Sequence, residues 1–190
     1  MAIQDFQLYH GALLAQLVRN ERPVTLRMIE TEKDRCWSAY RVDDAVTIYV
    51  KHSARGKYSP YSGVPKAITW TFTFQPEHLN DIGRLSHASE VYIALVCAHH
   101  GLPQGMPISL DTDVKATDKW IRYEKAVRKS LTGICFLNPE EWHSLRLTSE
   151  RARTIKVELA RDKWFLVDDR LRVPRNRLSN WQVPELSGQR

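Results

Sequence analysis

Lysine, arginine and aromatic side chains crowd one stretch of this chain from which acids are missing. Residues 45–76 hold Lys51, Arg55, Lys57 and Lys66 with no Asp or Glu, interleaved with Tyr49, Tyr58, Tyr61 and Trp70. Cations neutralise phosphates and exposed rings stack on bases, so this mixture is what a nucleic-acid surface requires. A second basic cluster, residues 115–129, includes Lys119 and Arg122 and sets six Lys/Arg against two acids. A third, Arg170, Arg172, Arg175 and Arg177, is acid-free and broken by Pro174. The plain account of each is a solvated edge or loop, and lysine on an edge strand commonly guards against aggregation. Three such clusters in a chain of net charge +6 shift the balance toward DNA or RNA as partner. The excess is uneven: residues 1–95 carry 11 Lys/Arg against 10 acids, residues 96–190 carry 17 against 12.

Catalytic chemistry needs acids beside these cations. If Asp43-Asp44 turns a hairpin, paired residues sum to about 87, which sets Lys51 beside Cys36 and Asp34 near Ser53. Asp44 is then roughly 23 Å along the strand from Lys51 and cannot share its site. The preceding turn brings Glu30 to the same sheet end. Glu30 and Asp34 would hold a divalent metal, Mg²⁺ or Mn²⁺, and Lys51 would polarise a phosphate. The competing account is an ordinary surface ion-pair cluster.

Other chemistry is less supported. Cys97 and His99 would share a strand face, with His100 and His87 nearby, but zinc wants about four ligands and no second cluster completes the set. A buried thiol with strand-end histidines is the simpler account. The pair Asp111 and Asp113 suits a hard cation but equally a solvated loop. His10 or His78 would serve as acid–base group if the chain acted on a small anion. There is no Walker loop, Gly-rich dinucleotide turn, Gly-x-Ser-x-Gly elbow or paired CxxC, which removes the common cofactor-dependent classes.

These residues need elements to hold them. Residues 5–19 pattern as an amphipathic helix, with Asp5 as N-cap and Phe6, Leu13, Leu14, Leu17 and Val18 as its apolar face. Alternation predicts strands over 24–30, 36–42 and 45–53. Residues 54–66 read as a long loop, and residues 67–75 as a strand in which Ile68, Trp70, Phe72 and Phe74 alternate with threonines. Pro76 at a helix N1 position starts a helix to about His87, and the apolar run 91–98 suits a strand covered on both faces. Residues 101–118 read as an irregular crossing, and 119–128 fit helix or strand. A short helix follows Pro139, then a hairpin over 154–160 and 164–167. The class is α+β: a mixed, largely antiparallel sheet, an N-terminal helix, one packed crossover helix and a β-rich C-terminal half. Residues 1–100 form the core and 101–190 a second part of one domain; a chain of 190 residues buries roughly 70% of its unfolded surface without staples.

The order helix, three antiparallel strands, helix, strand over residues 5–98 resembles the core of the PD-(D/E)XK nuclease superfamily. The resemblance implies an acid and a lysine two residues apart on the third strand. Lys51 matches the lysine, while Tyr49 stands where the acid belongs. It therefore implies either a migrated acid, Glu30 or Asp34, or a catalytically silent relative.

Three cysteines, no leader pattern and no apolar run near the roughly 20 residues a membrane span needs predict a cytoplasmic chain without a membrane partner. The reading is a nucleic-acid-associated protein using Lys51, Arg55, Lys57, Tyr58, Lys66, Lys119, Arg122, Arg172 and Arg175. The alternative is a non-catalytic subunit that binds another protein, with Trp142, Trp164 and Trp181 as anchors.

Overall fold

The computed structural model of the chain describes residues 5–19, 24–31, 37–53, 56–61, 64–98, 133–160 and 164–184. Helix α1 (Asp5–Leu17) precedes strands β1 (Leu26–Thr31), β2 (Trp37–Val42), β3 (Val46–Ser53), β4 (Lys57–Tyr61) and β5 (Val64–Phe74). Helix α2 (Pro76–Ser86) leads into β6 (Glu90–Cys97), and β7 (Gly133–Leu137) is followed by helix α3 (Pro139–Ser144). Strands β8 (Arg153–Ala160), β9 (Trp164–Val167) and β10 (Leu171–Pro174) complete the described strands, ahead of a 3-10 turn at Leu178–Asn180. The α+β class is as expected, and the strands divide between two sheets.

The first sheet has the order β1-β2-β3-β6-β7, the second β10-β9-β8-β5-β4. All pairings are antiparallel except β3 with β6. A parallel pair needs a crossover, and here the chain makes it through β4, β5 and α2. Residues 54–66 were expected as loop; the β4–β5 hairpin occupies much of that span instead. Lys57, Ser59 and Pro60, among the residues that argued for a loop, lie on edge strand β4, where one row of backbone groups meets no further strand.

The first sheet is covered on both faces, which is why β3 is buried from Val46 to Lys51 and β6 from Val91 to Cys97. Toward the second sheet point Trp37, Ala39, Tyr49, Ile93, Leu95, Cys97, Cys135 and Leu137, which pack on Trp70, Phe72, Phe74, Ile155, Val157, Phe165 and Val167. Helices α2 and α3 close this core with Ile82, Leu85 and Trp142. Toward α1 point Tyr40, Ile48, Val50, Tyr92, Ala94, Val96 and Phe136, packing on Tyr9, Leu13, Leu17 and Leu178. The inter-sheet core takes side chains from before residue 100 and after residue 133, so the two parts share it. Burial on α1 falls on Tyr9, His10, Leu13 and Leu17, while Val18 is 55% exposed. The helix face is thus rotated from the one expected, because Tyr9 and His10 take the place of Val18 against the sheet.

Two hairpins turn by one device. Asp43 and Asp44, at φ 49° and 54°, turn β2 into β3; Asp168 and Asp169, at 46° and 57°, turn β9 into β10. Aspartate tolerates this left-handed region because its short polar side chain bonds locally. Each first Asp also clasps a third segment. Thr25 N–H donates to Asp43 Oδ1 at 2.6 Å while Asp43 N–H donates to Thr25 O at 3.0 Å. Lys156 N–H donates to Asp168 Oδ1 at 2.7 Å while Asp168 N–H donates to Lys156 O at 2.8 Å.

Candidate functional site

Lys51 sits near the C-terminal end of β3 and faces inward. The β2–β3 register pairs Trp37 with Lys51 and Val42 with Val46, a sum of 88. The expected sum of about 87 was one residue short, because Ala45 adds a residue to the Asp43-Asp44 turn. Lys51 therefore lies opposite Trp37, not Cys36. It is 5% exposed, beside fully buried Tyr49. Lys51 Nζ lies 3.3 Å from His78 Nδ1 and 5.4 Å from the centroid of the Phe74 ring. Trp37 stacks on Tyr49 at 4.8 Å between centroids. The ammonium is thus held between an imidazole nitrogen and an aromatic face, both of which offset part of its desolvation.

His78 is placed by the start of α2. Gln75 precedes Pro76 as N-cap, and Gln75 N–H donates to His78 Nδ1 at 3.2 Å. Two donors, a backbone amide and Lys51 Nζ, converge on the same nitrogen. That nitrogen must carry the lone pair, so the ring proton resides on Nε2. His78 is 5% exposed and His10 2%, so neither lies open as the acid–base group that residue type alone suggested. The Gln-Pro-x-His pattern was the available signal for the Lys51–His78 pair, a capping box with imidazole in place of carboxylate.

Glu30 lies on β1 opposite Ala39, in the row of Tyr49 and two residues along the strands from the Trp37–Lys51 pair. Asp34 lies outside the described residues, as do Arg55, His99, His100, Asp111, Asp113, Lys119 and Arg122. Among the described residues no group of three or more His, Cys, Asp and Glu is placed to hold a metal. Cys97 and Cys135 are buried free thiols in the inter-sheet core, and burial pushes both thiols up in pKa. His87 caps the far end of α2, before β6 begins, about a strand length from Cys97.

On the opposite face of the first sheet, a second polar cluster lies beneath α1. His10 Nδ1 is 3.1 Å from the buried Ser38 Oγ, and His10 Nε2 is 3.4 Å from His52 Nδ1. Tyr9 packs on His52 with centroids 5.3 Å apart, and His10 meets the Tyr40 ring edge-on at 6.5 Å. Burial, with the neighbouring His52, lowers His10 to about 4. Tyr40 is raised by burial. Period-2 alternation puts Ser38 and His52 on the α1 side, but the sequence held no sign that His10 would meet them.

The open surface belongs to the outer face of the second sheet. Lys57 pairs with Thr69, Thr69 with Glu158, Glu158 with Leu166 and Leu166 with Arg172. These five residues form one cross-strand row, about 19 Å from end to end at four interstrand spacings. Lys57 and Arg172, at its two ends, are exposed. Glu158 in the middle is neutralised by Lys156 Nζ at 3.4 Å. Trp164, 42% exposed, lies on β9 two residues from Leu166 and opposite Pro174. Tyr58 and Lys66 lie on β4 and β5 of this sheet.

The arginine cluster divides. Arg170, Arg172 and Arg175 are exposed, whereas Arg177 is half-buried, ion-paired with Glu141 and donating to Phe136 O at 3.3 Å. Arg177 is a structural tie between the C-terminal segment and α3. Trp142 is buried and Trp181 packs on Tyr92 and Phe136, which leaves Trp164 as the exposed member of the three tryptophans singled out above. No described helix is long and apolar enough to cross a membrane. Comparison with known proteins gives no match to a family model, a curated protein or a solved structure.

Proposed function

We propose that this chain associates with nucleic acid through the outer face of its second sheet and that its nuclease-like core is catalytically silent. The observation that carries the reading is the row ending in Lys57 and Arg172, with exposed Trp164 beside it. Two cations can fix phosphates while an indole stacks on a base. Thr69, Thr71, Thr73 and Thr154 supply hydroxyls on the same face and no bulk to block approach.

Silence at Lys51 is supported by its surroundings. The lysine that the PD-(D/E)XK resemblance would make catalytic is buried against His78 and Phe74, and Tyr49 replaces the partner acid. A nuclease lysine must reach a phosphate oxygen. The order α1, three antiparallel strands, α2 and then β6 parallel to β3 supports the resemblance at the level of topology, which does not carry activity with it.

Binding to labelled single- and double-stranded DNA and RNA across a salt series tests this. Affinity should fall steeply with salt, and Lys57→Ala and Arg172→Ala should each flatten the log–log slope by about 0.7–0.9. Trp164→Ala should weaken single-strand binding by about 1–3 kcal/mol. Absence of binding to every probe at low ionic strength refutes the proposal; cleavage with Mg²⁺ or Mn²⁺ that Lys51→Met abolishes refutes the silent core. One observation favours the protein-binding alternative. A groove of about 370 Å³ between α2 and α3 is lined by Leu79, Ile82, Trp142 and Leu147, with Arg146 and His143 beside them.

A further inference from the structure

Two residues of the groove between α2 and α3 go against local preference. Gly83 sits inside α2, where alanine would hold the helix better. No packing demands the glycine, since a Cβ there would meet nothing within 4 Å. Arg146 follows α3 at φ 51°, a left-handed position that glycine or asparagine takes at less cost. Both residues line the groove. Departures from local preference that packing does not explain tend to mark functional sites. We propose that this groove binds a small molecule with an apolar body and a carboxylate head, the body against the bare backbone of Gly83 and the head on Arg146.

The lining suits both parts. Ile82, Val91 and Trp142 are 4%, 4% and 8% exposed and form the floor, while Leu79 and Leu147 stand partly exposed beside them. The volume of about 370 Å³ lies in the range of small-molecule sites, about 300–1,000 Å³. Twelve residues line it, against the roughly 20–30 a side of a stable protein interface. The charge left to meet a ligand is positive. Among the described residues neither Arg146 nor His143 is in an ion pair. Glu90 borders the groove, but its carboxylate is drawn to Tyr92: burial raises the Tyr92 phenol, and Glu90 raises it further through its charge and a hydrogen bond. Alternation along β6 sets Glu90 and Tyr92 toward α1 and Val91 toward the groove. Two serines at the groove are engaged within the chain. Ser86 Oγ donates to Gly83 O at 2.7 Å, and Ser89 Oγ lies 2.7 Å from Thr47 Oγ1. One guanidinium balances one negative charge and meets a carboxylate through two parallel N–H donors, which favours that head over a doubly charged phosphate. The groove shares no residue with the cross-strand row of the second sheet, so it does not depend on the nucleic-acid reading.

Octanoate is the probe, with octanol and octyltrimethylammonium as neutral and cationic counterparts of the same tail. Each is titrated into the full chain and followed by calorimetry and two-dimensional NMR. The expected result is one saturable octanoate site, at least about tenfold tighter than either counterpart, with shifts at the Gly83 amide and the Trp142 indole. Arg146→Asn, neutral and suited to positive φ, should lose at least about tenfold in octanoate affinity while its urea midpoint holds. Gly83→Leu should raise the urea midpoint through helix propensity and abolish binding by filling the space. Loss of binding in a chain that is no less stable cannot be assigned to misfolding. No saturable octanoate binding overturns the proposal, as does equal binding of octanol or of the cation. Unchanged affinity in Gly83→Leu or Arg146→Asn overturns it too, because the ligand then sits elsewhere. A dimer that Leu147→Glu dissociates would put a second copy of the chain in the groove and overturn it as well.

Discussion

Acid should unfold this protein in part through one histidine. His10 is lowered from 6.5 to about 4 by burial and by the proximity of His52. Among the described residues, the groups facing it are His52 from β3, Ser38 and Tyr40 from β2, and Tyr9 from its own helix. None of these described groups is a carboxylate that would welcome an imidazolium. The unfolded chain therefore binds a proton below pH 6.5 that the folded chain refuses until about pH 4. Where the unfolded state binds more protons, stability falls as pH falls, by about 1.4 kcal/mol per unit for one group. The loss begins near 6.5, accumulates to about 3 kcal/mol and stops near 4. Between pH 7 and pH 4.5 it amounts to about 2 kcal/mol. Carboxylates add their own dependence, so the comparison must be with His10→Gln, which hydrogen-bonds without titrating. Urea unfolding in EDTA at both pH values gives the four free energies needed. The gap between parent and variant should close by about 2 kcal/mol on acidification. Equal pH dependence in the two proteins, or an NMR titration of His10 centred near 6.5, refutes the reasoning.

Three further outcomes are expected. Lys51→Met exchanges a buried ammonium for a chain of similar length, so stability in urea should change by less than about 1.5 kcal/mol in either direction; a loss of 3 kcal/mol or more would mean that the charge itself holds the core. Gly56→Ala should cost about 1–3 kcal/mol, because a Cβ there would meet Ile68 Cγ2 at 2.7 Å and Trp70 Nε1 at 2.9 Å, and Trp70 is locked by donating to Ala98 O at 2.7 Å. Asp43→Ala and Asp168→Ala should each cost about 1–2 kcal/mol in thermal or urea unfolding, since each removes a clasp on a neighbouring strand and leaves alanine at positive φ.

Much of the fold was legible because alternation and turn chemistry are local. The threonine–aromatic alternation of residues 68–74 identifies β5, and the run 91–98 identifies β6 as covered on both faces. Pro76 and Pro139 mark the helix starts that are observed. What failed was read where local and tertiary signals conflict. Val18 fits the α1 period, but which residues of a helix meet a sheet depends on how it is laid down, and Tyr9 and His10 hold that place. Ser59 and Pro60 look like loop residues, but they lie on β4, an edge strand, where such residues cost little. The expected features of residues 101–128 lie outside the described residues.

The site was harder to read for a related reason. A single extra residue at the Asp43 turn moves Lys51 from beside Cys36 to beside Trp37. Register slips of one residue are invisible to composition, yet they decide which side chains meet. The basic stretch also looked uniform in sequence while the fold sends its members to different places. Lys51 goes inward to His78; Lys57 goes to the outer face of the other sheet, in register with Arg172, a residue more than a hundred positions away. Only four strand pairings across five strands create that row, so no linear motif could announce it. The same holds beneath α1, where nothing in the linear sequence joins His10 to His52. Their 3.4 Å separation exists because α1 crosses the ends of β2 and β3. In both places the grouping arises from long-range juxtaposition, as it does for Glu30, which strand pairing sets opposite Ala39, itself paired with Tyr49 two residues from Lys51.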